Sequence, residues 1–212
     1  MKKELVILTT HFGTNFSGGS TATCEIFKPM EMEFDKIHVV GNQLGDHLFN
    51  DLNFIEYKNW FHLRSILKKF SDDSTIFYGD FYNSLIFTTL NKPFFFTYHD
   101  NWPELGRFGI KNKFLSILYT SAYIFIFKKA AKVFTVSNFK LNFVKKYTSN
   151  FSLIRNGFRN HTQSNAKPVV SKKILMVGNI DSRKYKLAIP LLKKLLIYSN
   201  VEVEVYLSLI HI

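Results

Sequence analysis

The residues best placed to do chemistry fall at three strand-to-loop junctions. The first is Phe94-Phe-Phe-Thr-Tyr-His-Asp-Asn-Trp-Pro-Glu104, where a β-favouring apolar run breaks into His99, Asp100, Asn101 and Glu104. An imidazole exchanges a proton near neutral pH and can donate to or accept from a hydroxyl group, while a neighbouring carboxylate can orient it. His99 and Asp100 are therefore the candidate catalytic pair, with a capping or core histidine as the competing reading.

The second junction is His11-Phe-Gly-Thr-Asn-Phe-Ser-Gly-Gly-Ser20, in which Gly18 and Gly19 stand directly before a helix-compatible segment. Adjacent glycines let backbone approach a ligand, and a helix N-terminus behind them favours an anion or a hydroxyl-rich group. The G-x-G-x-x-G spacing of a dinucleotide fingerprint is missing, so a plain flexible turn is an equal alternative. The third is Gly178-Asn-Ile-Asp-Ser-Arg-Lys-Tyr-Lys186. Its cations, Arg183 and Lys184 among them, oppose the dipole of the helix they precede, a cost that a bound diphosphate would reverse. A solvated basic face is the bland reading, and the residue order is not that of a P-loop. The sequence contains no C-x-x-C, H-E-x-x-H or G-x-S-x-G, so metal-site and serine-hydrolase readings have no support.

These junctions need a scaffold that alternates strands and helices, and the periodicity supplies one. Strands are predicted over residues 4–10, 36–40, 53–57, 75–78, 93–98 and 133–136, and helices over 20–28, 60–70, 81–90, 112–131 and 138–147. Such alternation implies parallel strands joined by right-handed crossovers: an α/β, Rossmann-like, doubly wound sheet. Ligands bind such sheets at the carboxyl ends of the strands, which is where His99 falls. Residues 1–158 form the expected first domain, polar residues 159–171 a linker, and residues 172–212 the start of a second domain. That second part reads as one β-α-β unit, with strands at 173–177 and 201–207 and a helix over 184–199. About forty residues cannot cover both faces of a parallel sheet, so the second domain is expected to be incomplete.

With 46% hydrophobic and 17% aromatic residues the 212-residue chain can build a core, which excludes wholesale disorder. The net charge of +12 is unevenly divided: residues 1–106 carry 9 basic and 13 acidic side chains, residues 107–212 carry 19 basic and 3 acidic. Halves of −4 and +16 point to an anionic partner for the second, such as phosphate, nucleic acid or an acidic membrane face. The single cysteine, Cys24, cannot pair within the chain, so no oxidising compartment is required and cytoplasmic residence is expected. The longest apolar stretch, residues 114–127, is shorter than the roughly 20 residues of a membrane helix.

Taken in order, the Gly18-Gly19 loop, Thr97-Tyr-His-Asp100, Val133-Phe-Thr-Val-Ser137, Ile154-Arg-Asn-Gly157 and Ile174-Leu-Met-Val-Gly178 with Arg183-Lys184 resemble the retaining GT-B glycosyltransferases of family 4. The resemblance implies two Rossmann-like domains, the first mainly holding the acceptor and the second a nucleotide-diphosphate sugar. It places His99 beside the transferred sugar and Gly18 and Gly19 near the donor phosphates or the acceptor. Ser137, Asn156 and Gly178 fall at motif positions of the cleft, and Lys184 at the phosphate-binding lysine. That lysine would stabilise the departing nucleotide diphosphate electrostatically, with no cofactor and no metal. Two positions depart from the pattern: Asn179 stands where the family often has arginine, and Tyr185 where it usually has glycine.

The implied function is transfer of a sugar to a glycan or lipid-linked acceptor, as in cell-surface polysaccharide synthesis. The family's donor-site glutamate pair is expected beyond Ile212, and the closing Ser208-Leu-Ile-His-Ile212 resembles translated adapter sequence. The expectation is a truncated reading frame with little transferase activity by itself. Two other classes compete. One is a basic membrane-surface module built on residues 114–127 and their flanking lysines, peripheral at the inner face of the cell membrane, although so uniformly apolar a segment fits a buried helix better. The other is a nicotinamide-dependent oxidoreductase, which shares the fold class but not the glycine spacing. Nucleic acid is not expected as a partner, because no recognition motif accompanies the charge.

Overall fold

Leu5, Val6, Ile7 and Leu8 are each fully buried, an uninterrupted apolar run that only a strand covered on both faces can carry. They belong to β1 (Lys3–Leu8) in the computed structural model, which describes residues 3–100, 102–107, 110–154, 173–179, 190, 193, 194, 197 and 202–208. The chain divides into two units, Met1–Phe158 and Arg159–Ile212.

In the first unit β1 is followed by the short β2 (His11–Phe12), α1 (Gly18–Phe27), β3 (Phe34–Gly41), the short β4 (Gln43–Leu44), β5 (Asn53–Glu56) and α2 (Trp60–Leu67). Then come β6 (Thr75–Gly79), α3 (Leu85–Thr89), β7 (Phe94–Tyr98), α4 (Ile110–Lys129), β8 (Lys132–Thr135), α5 (Asn138–Val144) and β9 (Phe151–Leu153). Seven strands make one sheet in the order β5-β3-β1-β6-β7-β8-β9, and every pairing is parallel. This is the doubly wound α/β architecture that the alternation of elements implies. The period of two along β1 sorts its side chains between two cores. Leu5 and Ile7 join Cys24 and Phe27 of α1 on one face, while Val6 and Leu8 join Leu63 and Leu67 of α2, Phe87 of α3 and Tyr123 and Phe127 of α4 on the other.

The second unit contains β10 (Lys173–Asn179), parallel to β11 (Glu202–Ser208), with Gly178 opposite Leu207. The strand runs through Gly178 and Asn179, where the sequence predicts the start of a turn. The predicted linker over 159–171 and most of the predicted helix over 184–199 lie outside the described residues.

Three differences from the predicted elements have physical causes. Residues 81–90 are not one helix but a 3₁₀ turn, Tyr82–Ser84, leading into α3. A side chain at Gly79 would put its Cβ 2.0 Å from Ser84 Oγ, so this turn closes against bare backbone. Residues 29–33, unassigned from the sequence, belong to a 3₁₀ helix, Lys28–Glu33, with a proline at its start. The edge strand β9 is only three residues long, too short to show a period.

The start of α1 is secured locally. Ser17 caps it, accepting from Ser20 N at 3.2 Å while Ser20 Oγ accepts from Ser17 N at 3.0 Å, a reciprocal capping box. Ser17→Ala is expected to cost about 1 kcal/mol and lower the melting temperature by roughly 2–4 °C in a thermal scan. The loop before it crosses β4 at close range. Gly13 has φ +145°, and a Cβ there would stand 2.9 Å from Gly45 Cα, so the glycine serves both the backbone conformation and the approach.

Candidate active site

The sheet order fixes where a ligand can enter. From β1 the chain passes outward through β3 to β5, then returns to β6 on the other side of β1 and continues through β7 and β8 to β9. β1 and β6 therefore flank the topological switch point, where a crevice opens beyond the carboxyl ends of the strands. A small cavity of about 40 Å³ lies there, lined by Thr9, Thr10 and His11 after β1, Ser17, Gly19 and Ser20 at the start of α1, Asp80 and Phe81 after β6, and His99 after β7. Its volume suits one or two water molecules or the hydroxyl group of a larger ligand.

Two polar groups in its wall are incompletely satisfied. Asp80 is 4% exposed; its Oδ2 accepts from Thr23 Oγ1 at 2.7 Å, and its Oδ1 has no hydrogen-bond partner among the described residues. The nearby Thr9 hydroxyl lies 3.2 Å from the His11 carbonyl and also bears on the Asp80 carboxylate. Burial pushes the Asp80 carboxyl up to about 6, against the pull of the Thr23 and Thr9 hydroxyls. His99 Nε2 is likewise buried without a partner among the described residues. Burial lowers the His99 imidazole to about 4, so it is neutral at physiological pH. A half-satisfied carboxylate and a neutral imidazole can together accept from and donate to a hydroxyl.

The loop after β7 is anchored from two helices. Tyr123 of α4 donates to Asp100 Oδ2, and Tyr98 donates to the Trp102 carbonyl. Lys140 of α5, 6% exposed, places its Nζ 2.7 Å from Glu104 Oε2 and 5.1 Å from the centre of the Tyr98 ring. Lys140 is thus a buried cation satisfied by a carboxylate and an aromatic face.

Of the residues singled out from sequence, Gly19 and His99 come together: a methyl at Gly19 would stand 3.8 Å from His99 Cβ. Gly18 is the first residue of α1, and a Cβ there would meet open space. Asp100, read as orienting His99, has its Oδ2 engaged by Tyr123. Ser137 caps α5, its Oγ accepting from Lys140 N at 3.3 Å. Gly178 lies in β10 of the second unit. Asn101, Asn156, Arg183 and Lys184 lie outside the described residues. Asp80 is the site residue that the sequence reading missed. It immediately follows β6, so the strand-end rule that picks out His99 applies to it equally.

A Rossmann-like sheet with a polar, hydroxyl-sized cavity at its switch point defines an α/β protein whose ligand approaches the strand ends. Residues 21–159 match the model of Glycosyltransferase Family 4, and the chain belongs to that family. Among solved structures it is similar to WaaG, a glycosyltransferase involved in lipopolysaccharide biosynthesis, with TM-score 0.60, 11% identity, and coverage of 95% of this chain and 70% of that one. It is also similar to the glycotransferase of kitacinnamycin, with TM-score 0.56, 9% identity, and coverage of 100% and 67%. A Listeria monocytogenes protein assigned as a UDP-N-acetylglucosamine 2-epimerase has TM-score 0.50, 10% identity, and coverage of 97% and 62%. At such identities these likenesses establish the fold alone. No curated protein matches the chain by sequence.

Proposed function

We infer that the first unit is the acceptor-side domain of a retaining glycosyltransferase that moves a sugar from a nucleotide-diphosphate sugar to a glycan or lipid-linked acceptor. The observation that carries this reading is one hydroxyl-sized cavity at the switch point lined by both Asp80 and His99, each of which has a buried polar atom, Oδ1 and Nε2, without a partner among the described residues. A sugar hydroxyl suits such a pair, donating to the carboxylate and accepting from the N–H of the neutral imidazole. Leaving it unfilled costs free energy, so the site favours a ligand that presents a hydroxyl there.

Asp80 and His99 hold and orient the sugar in this account, and Gly19 leaves the room for it. Catalysis comes from positioning the reactants and from charge placed opposite the departing diphosphate. Arg183 and Lys184 are assigned to that diphosphate on sequence motif alone, with no metal required. Synthesis of a cell-surface polysaccharide in the cytoplasm is the setting this chemistry fits best.

The test is nucleotide-diphosphate release by the protein made from its complete native reading frame, across a panel of nucleotide sugars with glycan and lipid-linked acceptors. Acceptor-dependent release from at least one donor is the expected result. Sugar epimerisation without transfer, or turnover of NAD in place of every nucleotide sugar, would overturn the reading.

A further inference from the structure

The cavity at the switch point has room for a hydroxyl group but not for the sugar that carries it, so most of such a ligand lies against whatever borders the mouth. That border is aromatic. Phe81 lines the cavity, and a chain of ring contacts leads from it to Tyr82, at 5.5 Å between centroids, then to Tyr119 of α4 at 4.9 Å and on to Trp102 of the loop after β7 at 5.1 Å. Rings from the loop after β6, from α4 and from the loop after β7 therefore meet beside the strand ends. Packing alone would cover them, yet Tyr82 is 40% exposed and Phe81, Trp102 and Tyr119 are only half-buried. The group is stapled from behind. Ser116 Oγ, one turn before Tyr119, donates to the Pro103 carbonyl at 3.1 Å, and Tyr98 donates to the Trp102 carbonyl. Rings fixed before a ligand arrives lose little freedom when it binds.

The angles between the rings select among ligands. Phe81 and Tyr82 are inclined at 53°, and Tyr82 and Tyr119 at 59°. A flat nucleobase stacks on a ring parallel to it, whereas angled faces suit a puckered saccharide, whose C–H patches approach the negative face of an aromatic ring. Polar groups stand around the same rings. Burial first, then the Tyr119 and Tyr57 hydroxyls and the Asp100 carboxylate, hold the Tyr82 phenol above its usual range. Tyr57 in turn accepts from Asn83 Nδ2 at 3.1 Å. A hydrocarbon tail laid here would strand such groups, while sugar hydroxyls pair with them. We propose that Phe81, Tyr82, Tyr119 and Trp102 form a second sugar subsite, stacking the acceptor residue next to the one whose hydroxyl enters the cavity, so that the acceptor is a glycan of at least two sugar residues. This subsite rests on the transferase reading of the cavity and adds to it the kind and minimum length of acceptor.

The experiment is a saturation-transfer NMR titration of the protein made from its complete native reading frame. The probes are methyl α-glucoside, maltose and maltotriose, with the corresponding galactose and mannose series. In at least one series the disaccharide is expected to bind about tenfold tighter than the methyl glycoside, with saturation reaching the C–H protons of its second residue. Tyr82→Ala is expected to abolish that gain and Tyr82→Phe to keep it, because the ring face rather than the hydroxyl makes the stack. Tyr82→Leu fills the same space without a ring face and is expected to lose the gain while melting near the wild-type temperature, which separates stacking from packing. Equal binding of mono- and disaccharides in every series, a gain that survives Tyr82→Ala and Tyr82→Leu, or saturation of the base protons of uridine monophosphate that Tyr82→Ala removes would each overturn the proposal. Nucleotide-diphosphate release that ignores both acceptor length and Tyr82→Ala overturns the subsite and leaves the transferase reading in place; epimerisation without release overturns both.

Discussion

Asp80→Asn is expected to make the protein more stable at neutral pH and less active. Burial raises the folded-state pKa of Asp80 to about 6, whereas an unfolded aspartate titrates near 3.9. Between those values the folded chain binds more protons than the unfolded one, so stability falls as pH rises through the window and is lowest above it. An amide of the same shape removes that cost and can still accept from Thr23. A shift of this size corresponds to about 2–3 kcal/mol, or a rise of roughly 5 °C or more in melting temperature at pH 7. The gain should shrink as pH falls from about 6 to about 4 and vanish below. Transfer should drop by about tenfold to a hundredfold, the value of a hydrogen bond to a charged acceptor. Melting curves across pH, set beside kcat/KM, check both halves. A less stable Asp80→Asn at pH 7 would show that the carboxylate is satisfied in a way the cavity does not reveal.

His99→Ala carries the other large effect. Its neutral imidazole lines the same cavity as Asp80, and its loss is expected to lower kcat/KM by about a hundredfold, the scale of removing one preorganised donor. The pH signature runs opposite to that of Asp80. His99 has its pKa pushed down to about 4 by burial, below the unfolded value near 6.5, so its stability contribution is lost as pH falls from about 6.5 to about 4. The two groups thus offset each other in one window. Asp80→Asn should leave a protein that weakens on acidification more steeply than the wild type, and His99→Ala one that weakens less. Matching melting curves for all three proteins would show that the two groups do not titrate as their burial requires.

Much of the scaffold was legible because its signals are local. The apolar run of β1, the strand ending at His99 and the helices after each strand are period and composition effects, readable one segment at a time. Elements set by tertiary contact were not. The 3₁₀ turn after β6 depends on Ser84 meeting bare backbone at Gly79, and β9 exists through pairing with β8 rather than through any pattern in its three residues. The site divided along the same line. His99 and Gly19 carry sequence signals of their own, and the structure makes them neighbours, a Cβ on Gly19 standing 3.8 Å from His99 Cβ. Asp80 carries little beyond its place at a strand end; what marks it is burial with one oxygen lacking a partner among the described residues, which only the packed sheet creates. Asp100 was read with His99 because they are adjacent in sequence, whereas its partner Tyr123 comes from a helix more than twenty residues on.

Kinetics of the double variant Asp80→Asn/His99→Ala test the central claim most directly. If both side chains hold one sugar hydroxyl in one cavity, losing either already abandons the interaction, and their effects couple. The double variant, assayed for acceptor-dependent nucleotide-diphosphate release, is then expected to be hardly worse than His99→Ala alone. Losses that multiply, or release that persists at the wild-type rate in the double variant, would contradict a shared hydroxyl site at the switch point.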